Sequence, residues 1–150
     1  MALALTFSRA NLGIDAPLVS VETHLSNGLP AFTIVGLPEA AVRESRDRVR
    51  SAIINSHFDF PSKRITVNLA PADLPKQGSR FDLAIALGIL AASDQLSKEM
   101  LSQYEFIGEL SLSGKLRYAT GLIPALIAAD SKRISMVPAA NREEASLPLK

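Results

Sequence analysis

Apolar residues alternate with polar ones at Leu3, Leu5 and Phe7, and again at Val19 and Val21. A period of two predicts two half-buried strands. The stretch His24-Leu25-Ser26-Asn27-Gly28-Leu29-Pro30 then turns the chain, because Asn-Gly takes positive φ at little cost. A third strand is expected over Ala31–Val35, ended by Gly36-Leu37-Pro38. Pro38 and Glu39 suit a helix N-terminus, which predicts a helix over about 38–56 with the apolar stripe Val42, Val49, Ala52 and Ile53. Ile65, Val67 and Leu69 make a fourth strand, followed by a Pro-rich loop to Gly78. Ser79 with Asp82 three residues on resembles a capping box. The helix it would open carries Phe81, Leu83, Ile85, Leu87, Ile89 and Leu90, leaving no polar face, so it is expected at the centre of the core. Strands recur around Phe106-Ile107 and Leu110–Leu112, with a turn at Ser113-Gly114 toward Leu116. An apolar helix over Leu122–Asp130, a strand over Ile134–Val137 and a helix start at Asn141 with Glu144 complete the pattern. Strands and helices intermix without strict alternation, so the fold class is α+β (α/β), a mixed sheet packed with about three helices.

Composition narrows the function classes. At 150 residues and 47% hydrophobic, the chain makes one globular domain, able to bury about 70% of its unfolded surface without a disulfide or metal staple. The absence of Cys excludes Cys-ligated zinc, thiol nucleophiles and iron–sulfur clusters. With 16 Lys+Arg against 15 Asp+Glu, there is no polybasic tail, and any phosphate binding must come from local clustering. No apolar stretch approaches the ~20 residues of a spanning helix, and the N-terminus has no basic leader, so a cytoplasmic protein with no membrane partner is expected.

Most catalytic signatures are missing. No two of the eight glycines are separated by one residue, which rules out G-x-G-x-x-G. Gly108 to Lys115 has one residue too many for a phosphate loop, and Leu116 stands where Ser or Thr would reach magnesium; the segment reads as a hairpin. His24 and His57 have no partner at helical metal-site spacing, and no metal site is expected. No G-x-S-x-G elbow occurs. On the charge-rich helix the pairs Glu39/Arg43, Arg43/Asp47 and Glu44/Arg48 are four apart and predict weak surface ion pairs. Arg46 and Arg50 lack an acid four positions before them. With Lys63, Arg64, Lys76 and Arg80 they form the candidate phosphate-contacting set, a moderate basic patch without aromatic interleaving for base stacking.

The strings SRANLGIDAPLVSVETHLSNGLPAFTIVGLPEAAVRESRDRVRSAI, KRITVNLAPADLPKQGSRFDLAIALGIL and FIGELSLSGKLR resemble the N-terminal domain of the ComM (YifB) family, the Mg-chelatase-like AAA+ ATPases of bacteria. The resemblance covers nearly the whole chain and implies that 1–150 is a Lon-like, Mg-chelatase-related ChlI-type domain. The implied fold is that of the Lon protease domain and of the second domain of ribosomal small-subunit protein five. It further implies a longer cytoplasmic parent with an AAA+ module downstream that uses ATP and magnesium. By the same resemblance, that parent is expected to form homo-hexameric rings and to act as a DNA helicase in branch migration, recombination and natural competence. No cofactor is implied for this segment itself. The segment would be cut before its last strand and helix, so an incomplete sheet edge or a loosely packed end is expected near Leu147 to Lys150.

Aligned on the Lon pattern, Pro75-Lys76-Gln77-Gly78-Ser79-Arg80 puts Arg80 in the place of the serine nucleophile, with Ser79 one position early. Gly108-Glu109-Leu110-Ser111-Leu112-Ser113-Gly114 and Thr120-Gly121-Leu122 match the segments before the Lon lysine, and Ile123 stands in that lysine's place. A serine without a base is a poor nucleophile, so Ser79 is expected to cap its helix instead. No catalytic residue is assigned. The leading expectation is a non-catalytic domain assisting ring assembly, contact with single-stranded or branched DNA, or both. The alternatives are a module docking only neighbouring subunits or its own ATPase core, and a degenerate Lon-type serine peptidase.

Overall fold

The computed structural model describes residues 2–76, 78–129 and 132–147. Strands β1 (Ala2–Arg9), β2 (Leu18–Ser26), β3 (Ala31–Val35) and β4 (Arg64–Ala70) form one sheet in the order β1-β2-β4-β3. β1 and β4 flank β2 antiparallel, whereas β3 lies parallel to β4, so the sheet is mixed. Parallel neighbours need a crossover, and helix α1 (Glu39–Asn55) supplies it between β3 and β4. Helix α2 (Asp82–Ala92) packs across β1 and β2 and against α1, and nine of its eleven residues are buried. The uniformly apolar segment is thus the central helix, as its pattern predicts.

The remaining elements are α3 (Lys98–Leu101), β5 (Tyr104–Phe106), β6 (Glu109–Leu110), β7 (Leu116–Arg117), α4 (Leu122–Ala129), β8 (Ile134–Met136), a 3₁₀ turn (Ala139–Asn141) and α5 (Arg142–Ala145). β5 and β8 pair in parallel, and β6 and β7 form the hairpin around Ser113-Gly114. Of the five described α-helices, α1, α2 and α4 are the three of eight residues or more. The architecture is mixed α+β. The main core gathers Val19, Val21, Val49, Ile53, Ile65, Val67, Leu69, Phe81, Ile85 and Ile89, and a smaller one forms around Ile107, Leu122 and Ala125 under α4. Leu147 is exposed; residues 148–150, where a loosely packed end is expected, lie outside the described residues.

Strand β1 turns an unexpected face inward. Ala4, Thr6 and Ser8 are buried, while Leu3 and Leu5 are exposed and Phe7 is half-buried. The reason is the closeness of α2. The Thr6 hydroxyl donates to the Ala84 carbonyl at 2.8 Å, and a Cβ on Gly88 would stand 2.5 Å from Thr23 Oγ1 and 3.4 Å from Thr6 Oγ1. Only small residues on both surfaces allow that approach, so steric fit rather than hydrophobicity decides which face of β1 is covered.

Three local expectations are corrected. Ser79 does not cap α2: the helix begins at Asp82, with Phe81 at the N-cap and no side-chain cap bond. Its hydroxyl donates instead to the Glu109 carboxylate, and Asp82 is drawn into a buried network described below. Asn141 likewise precedes α5 without capping it; its amide accepts from the Ala119 N–H and donates to the Ala119 carbonyl, both at 2.9 Å, clamping α5 to the segment before α4. Of the three predicted ion pairs on α1, only Glu44–Arg48 is formed among the described residues, at 3.5 Å.

Candidate functional site

The six candidate basic residues separate into two groups. Arg46, Arg50, Lys63 and Arg64 gather at the β3 edge of the sheet. Arg46, half-buried on α1, donates from Nη1 to the Phe32 carbonyl of β3 at 3.0 Å. One turn on, Arg50 is exposed and lies over the Phe60 ring, 5.4 Å from its centroid. Arg64 pairs with Ala31 across β3 and β4 and reaches over the turn at Gly28, and Lys63 precedes it, exposed. Between them lies an open groove of about 510 Å³ whose walls include Arg50, Lys63, Phe32, Phe58 and Phe60. The Phe32 and Phe60 rings are 5.7 Å apart, and Phe58 is exposed.

Cations beside aromatic faces are an arrangement used to hold single-stranded nucleic acid, phosphates on the former and bases on the latter; here Phe58 is the exposed ring, while Phe32 and Phe60 also pack against the main core. The sequence expectation of a basic patch without aromatics is therefore corrected. The signal was present as Phe58-Asp59-Phe60 closely followed by Lys63-Arg64, but it gains meaning only when α1 brings Arg50 onto Phe60.

Lys76 and Arg80 belong elsewhere. Lys76 is 3% exposed, and its Nζ donates to the Pro71 and Leu74 carbonyls at 2.5 and 2.9 Å, tying its own loop together. Burial pulls its pKa below the ordinary lysine value, with nearby Asp73 pulling weakly the other way. Arg80 is 8% exposed, and its three guanidinium nitrogens are buried with no hydrogen-bond partner among the described residues. Burial lowers its pKa, and no carboxylate among the described residues offsets the effect. Both are buried and lie away from the β3 edge, so neither joins the exposed cations gathered there.

Arg80 and Ser79 instead line a cleft of about 380 Å³ shared with Asn11, Glu109, Tyr118 and Thr120. Ile123 stands on α4, exposed, outside that lining. Among the described residues, no lysine or histidine nitrogen bonds the Ser79 hydroxyl, whose partner is Glu109. A carboxylate alone is a weak base for a serine at neutral pH. No group of His, Cys, Asp or Glu among the described residues could hold a metal ion, and no described helix is long and apolar enough to cross a membrane.

Two buried charge networks escaped the sequence reading. Asp82, 1% exposed, accepts from Ser45 Oγ at 2.8 Å, Arg48 Nε at 2.6 Å and the Leu110 N–H at 3.2 Å, joining α1, α2 and the β6–β7 hairpin. Burial pushes its carboxyl above the ordinary range, while Arg48, 2.6 Å away, and Ser45 pull it back. For Arg48, burial works against the charge, but Asp82 and Glu109 outweigh it and its pKa is raised. In the second network Glu105, also 1% exposed, receives Arg9 Nε at 2.6 Å and Arg133 Nη1 at 3.3 Å, and Arg133 lies over the Phe7 ring. These acids pair with arginines 28, 34 and 96 positions away in sequence, which no local spacing rule detects.

Comparison with known proteins agrees with this architecture. A family model described as subunit ChlI of Mg-chelatase matches residues 21–141. The chain is 61% identical over 98% of its length to the competence protein ComM of Haemophilus influenzae, of which it covers 29%. It is 59% identical over 82% of its length to the uncharacterized protein YifB of Salmonella typhimurium, covering 24%, and 53% identical over 98% to the YifB protein of Escherichia coli, covering 29%. The chain thus spans less than a third of the length of these relatives. With most of its residues inside the matched region, the chain belongs to the family of subunit ChlI of Mg-chelatase, among the ComM and YifB proteins.

Proposed function

We propose that this chain is the non-catalytic N-terminal domain of a cytoplasmic ComM-type AAA+ ATPase, and that it helps the parent hold single-stranded DNA. The observation that carries the DNA part is the groove at the β3 edge, where Arg50 and Lys63 stand among Phe32, Phe58 and Phe60 and outnumber the one acid of the lining, Asp59. In this reading the ATP-using module and the hexameric ring of the parent perform branch migration, and the domain adds a weak, sequence-tolerant strand contact. A net charge of +1 fits that division of labour, because an isolated domain of near-zero charge has no long-range field to capture DNA alone.

Binding of fluorescein-labelled oligothymidine to the chain, followed by anisotropy across a salt series, tests the proposal. Arg50, Lys63 and Arg64 offer three exposed cations. At ~0.7 counterions released per contact, the slope of log K against log salt should be about −2. Binding that is absent at low salt would favour the alternative, in which the domain docks only neighbouring subunits or its own ATPase core. Deleting the domain from the parent would then abolish ring formation while leaving DNA affinity intact.

A further inference from the structure

Arg80 is an exception among the buried arginines of this fold. Arg9, equally buried, is bonded to Glu105 and to the Ala16 carbonyl, and even the half-buried Arg48 is bonded to Asp82. Arg80 has neither an acid nor a carbonyl at any of its three nitrogens among the described residues. A guanidinium stays charged under any condition in which a protein folds, so it cannot escape the penalty by losing a proton. Burying such an ion uncompensated costs several kcal/mol, and a bound ion is one way in which a fold offsets that cost.

The surroundings say what that counter-charge is. The Arg80 cleft is walled by polar side chains: Asn11, Ser79, Glu109, Tyr118 and Thr120. Asn11 is wedged against Gly121, where a Cβ would stand 2.3 Å from Asn11 Nδ2, so this wall is held in place. Glu109 contributes the cleft's negative charge, but it is already engaged by the Ser79 hydroxyl and by Arg117, whose Nε lies 3.4 Å from Oε2. The charge left over is that of Arg80. A dianion entering the cleft would meet the Glu109 carboxylate, whereas a monoanion balances Arg80 with less repulsion.

We propose that this cleft is a binding site for a small monoanionic carboxylate, paired with Arg80 and hydrogen-bonded by Asn11 and Thr120, since the Ser79 and Tyr118 hydroxyls already donate to Glu109 and Glu144. A guanidinium and a carboxylate match as two parallel N–H···O bonds, which gives the site its chemical selectivity. All three guanidinium nitrogens are sealed from the cleft in this structure, so pairing requires the guanidinium to turn toward the cleft wall, and that turn relieves its buried charge. This inference is independent of the DNA reading, since the groove at β3 shares no residue with the cleft.

Nuclear magnetic resonance titration of the ¹⁵N-labelled chain with sodium acetate, and separately with sodium phosphate at matched ionic strength, tests it. Acetate is expected to give saturable shifts at the Arg80 Nε–H and at the Ser79 and Thr120 amides, with phosphate about tenfold weaker or more. Arg80→Met should lose the acetate response yet unfold in urea at a midpoint no lower than the parent chain's, because it removes an unpaired buried charge. Glu109→Gln, should Arg80→Met fail to fold, is expected to keep the acetate response and strengthen the phosphate one. Shifts that never saturate, that favour phosphate in the parent chain, or that persist unchanged in Arg80→Met would overturn the proposal. So would a Glu109→Gln variant whose phosphate response is unaltered.

Discussion

Asp82→Ala should be among the most damaging single substitutions in this domain. The carboxylate is 1% exposed and sits where α1, α2 and the β6–β7 hairpin meet. Its removal leaves the buried Ser45 hydroxyl and the Leu110 N–H without an acceptor, at about 1–3 kcal/mol for each orphaned group that water cannot reach. Arg48 loses its counterion as well, but its side chain is 19% exposed and Glu44 remains 3.5 Å away, so it is partly rescued. Breaking a fully buried pair costs about 3–5 kcal/mol, and the partial rescue places Asp82→Ala in the lower half of that range, ~3–4 kcal/mol. Urea unfolding followed by circular dichroism at pH 7 measures it, with an unchanged dependence on denaturant showing that the two end states are comparable. Adding Arg48→Met to Asp82→Ala should recover part of the loss, since no uncompensated charge is then left behind. A single-variant cost under ~1 kcal/mol, or a double variant no better than the single, would refute the view that this network staples the helices to the hairpin.

Two further expectations concern packing and pH. Gly88→Ala should destabilise by ~1–3 kcal/mol in the same urea assay, because its Cβ would stand 2.5 Å from Thr23 Oγ1, and Thr23→Ala should relieve most of that cost; equal stability of Gly88→Ala and the parent would contradict the tight α2–sheet contact. Lys76 has a folded-state pKa lowered below 10.5, chiefly by burial, so the unfolded chain binds its proton more tightly in the window between the folded value and 10.5. Stability relative to Lys76→Met should therefore rise as pH increases through that window, and parallel pH profiles for the two proteins would count against a buried, charged Lys76 at neutral pH.

Much of the fold could be read from the periodicity of the chain. Alternation at Ile65, Val67 and Leu69 and the apolar run from Phe81 to Leu90 each placed an element within a few residues of where it lies. The readings that failed share a cause. Ser79 and Asp82 had the spacing of a capping box, but Asp82 found stronger donors in Arg48 and Ser45, and Ser79 found Glu109 thirty positions on. Leu3 and Leu5 had the alternation of an inner face, but Ala4, Thr6 and Ser8 fit beneath α2 and the leucines do not. In both cases long-range packing overrode a local preference that is worth at most about 1–2 kcal/mol.

The candidate site was less legible for the same reason. Its basic residues could be named, but exposure sorts them: Lys76 and Arg80 are buried, and Arg50 and Lys63 are on the surface. The aromatic half of the groove comes from the segment after α1 and from β3, which are adjacent only through the parallel β3–β4 pairing. Family membership, by contrast, rests on long contiguous strings and needs no structure.

The central claim is that the β3-edge groove, and not the buried Lys76 and Arg80, supplies the DNA contact. The direct test compares oligothymidine affinity of the parent chain with that of Arg50→Ala/Lys63→Ala, Phe60→Ala and Arg80→Met at several salt concentrations. The account predicts that the double variant flattens the slope of log K against log salt by about 1.4, and that Phe60→Ala weakens binding by ~1–3 kcal/mol with little change in slope. Arg80→Met should bind DNA as the parent does. Loss of binding in Arg80→Met with undiminished binding in the groove variants would contradict it.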